Sequence, residues 1–572
     1  MTVDRSRALV PRGATMMGVR ARSAEPATEQ ADEDIVEVED HRTRQRRRML
    51  VSLALLIIVG VALYVRLIHL TALGFNSDEA VYTGQAGALA GVGDYARNFS
   101  PFRAHPLLLQ TVLAMEFTIL GHMSEFMSRA TVVVCGVAAV FSTYLLGKRM
   151  FGLAAGLAAG AALAIMPYHV FISRQVLLDV PAGLAVLLAF AALYRYDGPT
   201  TRRWLYLAAA LGGIGCVIKE TMIVFAPAAL VYLAWSKILK RTRVRDLALC
   251  GVLMLVMLAP FISTRFLFSG SGAGGYIIYQ LFRPPNHPVW YFPVVFWIFI
   301  TPVATLAIAY GIVLSCIRRT RADKLLLSWL AVFGAFFQFW PTKLLPYAII
   351  LVPAMAILGA RGLVDLFVRI REWRSTAIAT VAAFVMALAV LGPMVGPAIR
   401  AGNVIRDSSF SGPFTTDVEV QDFAGGRETG LWFANHTPSD AVALTMGPSL
   451  GNLVSFYGDR DFFALSVSQD AKLRNPAYRP IPNPDYDIRQ IEVQYAVWDQ
   501  YTADRAPFYS RRLMDYVTKY SGIPVFSVWV DGNTINTNDG APPPGAEVRI
   551  VVYQLVGGDP LVSSGGQGET GQ

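Results

Sequence analysis

Two adjacent carboxylic acids, Asp78 and Glu79, follow the first long apolar segment of the chain, residues 49–70. Ionisable groups at the end of a membrane segment are costly to keep there and by default indicate a functional site. A carboxylate in that position can act as a general base that removes a proton from a hydroxyl group. The alternative is structural: Asn76 or Ser77 can cap a helix whose first turn contains both acids, where the helix dipole favours negative charge.

Further polar side chains border later apolar segments. If the chain alternates sides as its basic loops indicate, they all belong to one face of a membrane. They are Arg174, Asp179, Lys219, Glu220, Arg265, Arg283, His287, Lys343 and Tyr347. A single basic residue of this kind is readily explained as an interface anchor. Several cations, acids and a tyrosine on one face instead indicate a functional site, with pairing for helix assembly as the alternative.

The composition predicts a polytopic membrane protein. Of the 572 residues, 54% are hydrophobic and only 16% are charged, and several apolar segments reach the ~20 residues that cross a bilayer. The net charge of +9 comes from basic loops between these segments, which are typical of cytoplasmic loops rather than of nucleic-acid binding. The four cysteines lie within or beside apolar segments, so they indicate neither a metal site nor a disulfide framework.

The N-terminal region predicts the orientation in the membrane. Residues 41–48 (HRTRQRRR) form a dense basic cluster directly before the first apolar segment, which is typical of the cytoplasmic side of a first span. A cleavable signal peptide would begin nearer the terminus. Residues 1–48 are therefore predicted to be a disordered cytoplasmic tail. The first outer loop, residues 71–128, is predicted to lie outside together with Asp78.

The segment at residues 105–121 decides the sidedness of every later loop. The next apolar segment ends in Lys148 and Arg149, which the positive-inside rule places in the cytoplasm. This requires residues 105–121 to lie along the outer interface or to re-enter rather than to cross. Residues 49–396 then form a domain with about eleven crossings of ~20 residues each. We expect a multi-pass protein of the plasma (inner) membrane.

Residues 397–572 have the composition of a soluble domain, with a loose tail at the end. A helix end is predicted near residues 432–439. Strands are predicted at residues 441–446, 495–498, 523–530 and 548–555. The predicted fold class is thus a polytopic α-helical membrane protein with a small C-terminal extracytoplasmic α/β domain.

The chain resembles the GT-C superfamily of membrane glycosyltransferases, in the branch of the protein O-mannosyltransferases and the lipid A aminoarabinose transferase. The resemblance covers most of residues 49–395 and depends on short motifs in a fixed order. They are Asp78-Glu79 with Tyr82, His105-Pro106, Leu178-Asp179-Val180-Pro181, Lys219, Trp290-Tyr291-Phe292-Pro293, and Lys343 with Pro346 and Tyr347. The chain departs from the aminoarabinose branch at His105, where that branch has lysine.

The resemblance implies an inverting glycosyltransferase that moves a sugar from a polyprenyl-phosphate donor to a hydroxyl acceptor on the outer face of the membrane. Asp78 is the expected general base, with Glu79 and Asp179 in positioning and electrostatic roles at the catalytic centre. Fixed positive charge and hydrogen-bond donors are needed at the donor phosphate. The predicted substrate-binding residues are Tyr82, His105, Arg174, Lys219, Arg265, His287, Lys343 and Tyr347.

The acceptor and the sugar stay open: a cell-envelope glycan, a glycolipid or a protein hydroxyl can receive a hexose or a pentose. No cofactor or metal is predicted, because the first outer loop has no Asp-X-Asp motif; Asp78 and Glu79 can nevertheless bind a divalent cation. One alternative is a transporter or lipid flippase, which often contains internal repeats; none is visible here. A second is a non-catalytic sensor or assembly protein, in which the acids are caps and the cations are anchors.

Overall fold

A computed structural model describes residues 26–101, 104–267, 273–400, 424–532 and 534–556. Within these ranges side chains are described from residue 43 onward, except at 264–267, 273–275 and 277–278. The chain packs as two units, Met1–Leu56 and Ile57–Gln572. The second unit contains both the bundle of apolar helices and the C-terminal sheet domain.

The described residues before 401 are mainly helical. Its helices are α1 (Pro26–Leu67), α2 (Ser77–Ala90), α3 (Tyr95–Asn98), α4 (Leu108–Leu120), α5 (Glu125–Phe151), α6 (Leu153–Ile165), α7 (Pro167–Ile172), α8 (Asp179–Leu193), α9 (Arg202–Ile218), α10 (Phe225–Trp235), α11 (Val244–Leu267), α12 (Ala273–Phe282), α13 (Tyr291–Phe299), α14 (Pro302–Arg318), α15 (Arg321–Phe339), α16 (Val352–Trp373) and α17 (Thr376–Arg400). Short 3-10 segments, Glu220–Val224 and Leu345–Leu351, lead into α10 and α16.

Six helices in the described residues are long and apolar enough to cross a membrane. They are Thr43–Leu67, Glu125–Phe151, Val244–Ser263, Arg321–Phe339, Leu345–Trp373 and Thr376–Arg400. Shorter apolar helices lie between them, including Leu108–Leu120 of only 13 residues. This architecture confirms a polytopic helical membrane protein, whereas the number of crossings and the non-spanning course of residues 105–121 stay predictions.

The start of the chain differs from the sequence-based expectation. Of residues 1–48, which are predicted to be disordered, residues 1–25 lie outside the described residues, and residues 26–48 form the beginning of α1. The segment has acidic residues in its first part and basic residues in its last part. That order permits attraction between acids and bases one turn apart, which supports a helix although the segment has little apolar periodicity.

The C-terminal domain is a six-stranded mixed sheet with helices. Its helices are α18 (Gly426–His436), α19 (Pro448–Gly458), α20 (Pro484–Arg489), α21 (Gln500–Arg505) and α22 (Pro507–Lys519), and its strands are β1 (Val442–Thr445), β2 (Asp461–Ala464), β3 (Tyr495–Asp499), β4 (Ile523–Asp531), β5 (Thr534–Asn538) and β6 (Glu547–Gln554). The strand order is β2-β1-β3-β6-β4-β5. β1 pairs in parallel with β2 and β3, and the remaining pairs are antiparallel.

The small α/β domain predicted from the sequence is confirmed, with β1, β3, β4 and β6 at the predicted places. The two strands that the sequence did not predict are β2 and β5, which are the edges of the sheet. β2 has four residues and β5 reads TINTN. β2 is too short, and β5 too polar, for a strand to be recognised from the pattern of residues alone.

Candidate active site

The two acids lie in the first turn of α2, and a capping box fixes one of them, Glu79. The side chain of Asn76 accepts a hydrogen bond from the backbone N–H of Glu79 at 3.0 Å, and Oε2 of Glu79 accepts one from the backbone N–H of Asn76 at 3.0 Å. The capping interpretation is therefore correct for Asn76 and Glu79. Asp78, which directly precedes Glu79 in the same turn, is exposed. Adjacent helical residues point in different directions, so the two acids have different surroundings.

Glu79 is buried and bound by an arginine from α5. Its carboxylate accepts hydrogen bonds from Nε and Nη2 of Arg129 at 2.8 and 2.7 Å, and from the backbone N–H of Val176 at 2.8 Å. Bidentate arginine–carboxylate pairs have a fixed geometry. Glu79 thus attaches α2 to α5 and to the backbone at Val176, and its role at a catalytic centre stays a prediction. Arg129 was not among the predicted site residues, although an arginine within a long apolar helix is itself a signal.

Asp179 and Lys219 form a buried ion pair at adjoining helix ends. Asp179 begins α8, and Lys219 directly follows α9 in an extended conformation. The ammonium nitrogen of Lys219 lies 2.7 Å from Oδ1 of Asp179, and both side chains are 6% exposed. The same ammonium lies 4.4 Å from the centroid of the Tyr347 ring. The structure therefore brings three predicted site residues into direct contact, and a pair this deeply buried depends on both partners.

His105 belongs to a second polar chain of contacts. Its Nδ1 lies 3.0 Å from Oε2 of Glu220, and its Nε2 lies 3.3 Å from the hydroxyl of Tyr276. Nε2 of Gln280 donates to that hydroxyl at 2.8 Å. Glu220 belongs to the polar set recognised in the sequence but was given no role, and Tyr276 and Gln280 were not predicted as site residues. Glu220 stands beside Lys219 in the sequence, which is a usable signal, whereas Tyr276 and Gln280 follow no recognisable motif.

Tyr82 lies between these groups. Its ring centroid is 6.0 Å from that of His105. Burial raises the pKa of the Tyr82 phenol well above its ordinary value, and nearby acidic groups raise the pKa further. In decreasing order of effect these are Asp78, Tyr276, Asp179 and Tyr347. Tyr82 therefore stays protonated as a hydrogen-bond donor, and its surroundings show that predicted residues from distant parts of the chain converge.

Lys343 is a buried cation whose ammonium makes only a long hydrogen bond. The residue is only 6% exposed, and its ammonium donates to the carbonyl oxygen of His287 at 3.4 Å. Its backbone is fixed by Asn286, which accepts from the Lys343 N–H at 2.8 Å and donates to the Lys343 carbonyl at 3.0 Å. Among the described residues no carboxylate lies within ion-pair distance of this ammonium. A buried charge in that situation favours an anionic ligand.

Three further predicted substrate-binding residues are Arg174, Arg265 and His287. Arg174 donates to the carbonyl oxygens at the end of α1, those of Val65, Arg66, Ile68 and His69, at 2.7 to 3.2 Å. Its guanidinium therefore satisfies the open end of a helix, which is a structural role, and the substrate contact of Arg174 stays a prediction. The side chain of Arg265 lies outside the described side chains. His287 stacks on Tyr291 with ring centroids 4.2 Å apart.

The described residues contain no group of three or more His, Cys, Asp and Glu side chains placed to bind a metal ion together. The expectation of a metal-independent site therefore stays a prediction.

Residues 104–263 match the family model of dolichyl-phosphate-mannose-protein mannosyltransferases. Solved structures of similar fold include ArnT from Cupriavidus metallidurans in the apo state, with 17% identity and a TM-score of 0.58 over 87% of this chain and 97% of that one. The same protein bound to undecaprenyl phosphate has 18% identity and a TM-score of 0.56 over the same shares. The oligosaccharyltransferase of Archaeoglobus fulgidus in its apo form has 12% identity and a TM-score of 0.55 over 87% and 76%. No curated protein sequence matches the chain.

Proposed function

We propose that the chain is an inverting glycosyltransferase, because its fold is similar to that of ArnT and residues 104–263 match the mannosyltransferase family model. It moves a sugar from a polyprenyl-phosphate donor to a hydroxyl acceptor at the outer face of the plasma membrane. The N-terminus is cytoplasmic, and the C-terminal domain is extracytoplasmic. The acceptor is a cell-envelope glycan, a glycolipid or a protein hydroxyl.

The observation that carries the proposal is the buried ammonium of Lys343 next to a carbonyl oxygen at 3.4 Å. An ion in low dielectric surroundings is expensive unless an opposite charge joins it. The phosphate of a lipid-linked sugar supplies such a charge at membrane depth. The phenols of Tyr82 and Tyr276, whose pKa burial raises above the ordinary value, keep their protons and can donate to phosphate oxygens as charge develops on the leaving group.

Asp78 is the general base of the proposed reaction. It is the exposed acid of the cluster, whereas Glu79 and Asp179 are buried and paired with cations at 2.7 Å. The acceptor hydroxyl transfers its proton to the Asp78 carboxylate while its oxygen attacks the anomeric carbon. The bond from that carbon to the phosphate oxygen breaks on the opposite side, and polyprenyl phosphate leaves. A retaining reaction requires a second carboxylate as nucleophile, and the pairing of Glu79 and Asp179 disfavours that role.

The sidedness is supported by a contact within the protein. Glu125, in the first outer loop, accepts a hydrogen bond from Tyr457 of the C-terminal domain at 2.7 Å. This contact supports the proposal that the loop and the domain share one side of the membrane, which is also what the distribution of basic residues predicts.

The proposed function is tested with purified full-length protein in lipid nanodiscs. The substrates are polyprenyl phosphates carrying labelled hexoses or pentoses, together with acceptor extracts of cell-envelope glycan, glycolipid and protein. We expect release of polyprenyl phosphate with one donor, dependent on one acceptor class, with the transferred sugar in the inverted configuration. Absence of release with every donor and acceptor, in protein that is folded, would overturn the proposal.

A further inference from the structure

The C-terminal domain contacts the segment that leads into α2. The hydroxyl of Tyr457 on α19 accepts a hydrogen bond from the backbone N–H of Phe75 at 2.7 Å and donates one to Oε1 of Glu125 at 2.7 Å. A phenol can make both bonds because its oxygen accepts while its O–H donates. The two partners belong to the approach to α2 and to the start of α5. Tyr457 thus connects both elements to the C-terminal domain.

A second residue of the same domain contacts the first residue of α2. Nδ2 of Asn452 donates to Oγ of Ser77 at 3.0 Å, and Asn452 is 2% exposed. Ser77 directly precedes Asp78 in the first turn of the helix. A buried amide bound to this hydroxyl restricts rotation of the first turn about the axis of α2. It thereby also restricts the direction in which the neighbouring Asp78 carboxylate points.

Arg427 completes the contact from the start of α18. Its Nη2 donates to Oε2 of Glu125 at 2.6 Å and to the carbonyl oxygen of Thr71 at 3.1 Å. The fit is close: a Cβ atom added to Gly74 would lie 2.7 Å from the Cβ of Arg427 and 3.3 Å from the Tyr457 hydroxyl. Only glycine permits the two surfaces to approach in this way without displacement of one of them.

The opposite side of the same segment is bound by the helical bundle. Arg129 donates to the carbonyl oxygens of Leu70, Leu73 and Gly74 at 2.8, 2.8 and 2.6 Å, in addition to its bonds with Glu79. The Phe75 ring lies between the two sides, 5.1 Å from the Arg129 guanidinium carbon and 5.3 Å from the Phe456 ring on α19. Residues 70–79 are therefore bound from both the bundle and the C-terminal domain.

We infer that Tyr457 and Asn452 are positioning residues: through Phe75 and Ser77 the C-terminal domain sets the position of Asp78 for proton removal. The inference rests on the proposed function and deepens it, because it gives the C-terminal domain a part in turnover. Neither residue takes part in the chemistry itself. The domain acts through the backbone and hydroxyl contacts that define the first turn of α2.

The test compares Y457F and N452A with a matched control, R97A. Arg97 also joins the first outer loop to the C-terminal domain, through Asp461 at 3.1 Å, but it is 40% exposed and lies beyond α2. In Y457F and N452A we expect turnover at saturating donor to fall by about tenfold to a hundredfold, with the KM for the donor within twofold. R97A should retain turnover. Assays are run well below the unfolding temperature of each variant, so that lost stability does not lower the rate.

Hydrogen exchange gives a measurement that does not depend on activity. Amides in the first two turns of α2 should exchange faster in Y457F and N452A than in wild type and R97A, while the rest of the bundle is unchanged. Equal exchange in all four proteins overturns the inference, as does faster exchange with unchanged turnover. If the wild type shows no transfer at all, the proposed function fails, and the exchange of α2 still decides whether the C-terminal domain positions Asp78.

Discussion

Arg129 on α5 and Glu79 on α2 form a bidentate ion pair with bonds of 2.8 and 2.7 Å, in which the side chains are 6% and 1% exposed. The pair attaches the helix that carries Asp78 to the bundle. Since Arg129 also binds three carbonyl oxygens of the segment before α2, one guanidinium stabilises both the entry and the first turn of that helix.

Replacing Arg129 by Gln is expected to destabilise the protein strongly. The change leaves the Glu79 carboxylate buried without its cation, and breaking a buried pair in this way costs about 3–5 kcal/mol. Thermal unfolding of the purified protein measures the effect. R97A is the control, because its ion pair with Asp461 is partly exposed and such pairs contribute at most about 1 kcal/mol. Equal unfolding temperatures for R129Q and R97A would contradict the assigned role of Arg129.

Replacing Asp78 by Asn is expected to abolish transfer and to leave donor binding intact. The amide cannot accept a proton from the acceptor hydroxyl, and loss of general-base catalysis typically costs about 10²–10⁴-fold in rate. Rates are measured by release of polyprenyl phosphate, and binding by titration with the donor. The matched control is D94N, which changes an exposed acid of the same loop. Turnover near wild type in D78N rejects Asp78 as the base.

Replacing Lys343 by Met is expected to weaken donor binding. The substitution keeps the length of the side chain and removes the charge proposed to face the phosphate, so we expect a loss of at least about tenfold in affinity. The measurement is equilibrium binding of polyprenyl phosphate to the protein in nanodiscs. K472M, at an exposed position of the C-terminal domain, controls for a general effect of charge. Unchanged affinity in K343M would exclude contact with the phosphate.

The stability of the C-terminal domain should depend on pH through Asp499. Burial raises the pKa of this carboxyl from 3.8 to about 6, while the backbone N–H of Thr502 opposes that shift. The folded state therefore binds the proton more tightly than the unfolded state. Stability from this group is fully present below about pH 4 and is lost as the pH rises through about 6, by roughly 3 kcal/mol in all.

Thermal unfolding between pH 4 and 8 tests this expectation, with D499N as the comparison because its amide does not titrate. As the pH rises, the unfolding temperature of D499N should increase relative to that of the wild type. A difference that is constant over this range would show that Asp499 does not titrate differently in the folded state.

Transfer is expected to persist after treatment with EDTA. The described residues contain no cluster of three potential metal ligands, and the proposed chemistry places positive charge at the phosphate through Lys343. Rates before and after chelation, with Mg²⁺ or Mn²⁺ added back, provide the measurement. A loss that either ion restores would mean that Asp78 and a neighbouring carboxylate bind a cation, which is the alternative recognised in the sequence.

The sequence by itself determined the features that depend on local pattern. Apolar segments of sufficient length identify a membrane protein, since backbone groups in lipid must be satisfied within each helix. Short apolar runs of strand length predicted β1, β3, β4 and β6. The order of motifs led to Asp179, Lys219 and Tyr347, which the structure brings into contact. Asn76 was one of two candidate caps for α2.

Only the tertiary structure decided which partner each polar group has. Glu79 and Arg129 are 50 residues apart, and Tyr457 and Glu125 are 332 residues apart, so no periodicity relates them. The sequence predicts that Arg174 binds substrate. In the fold its guanidinium lies beside the carbonyl oxygens at the end of α1 and binds them. The physical reason is that periodicity reports burial on one element, whereas the role of a charge depends on which groups from other elements desolvate it and bind it.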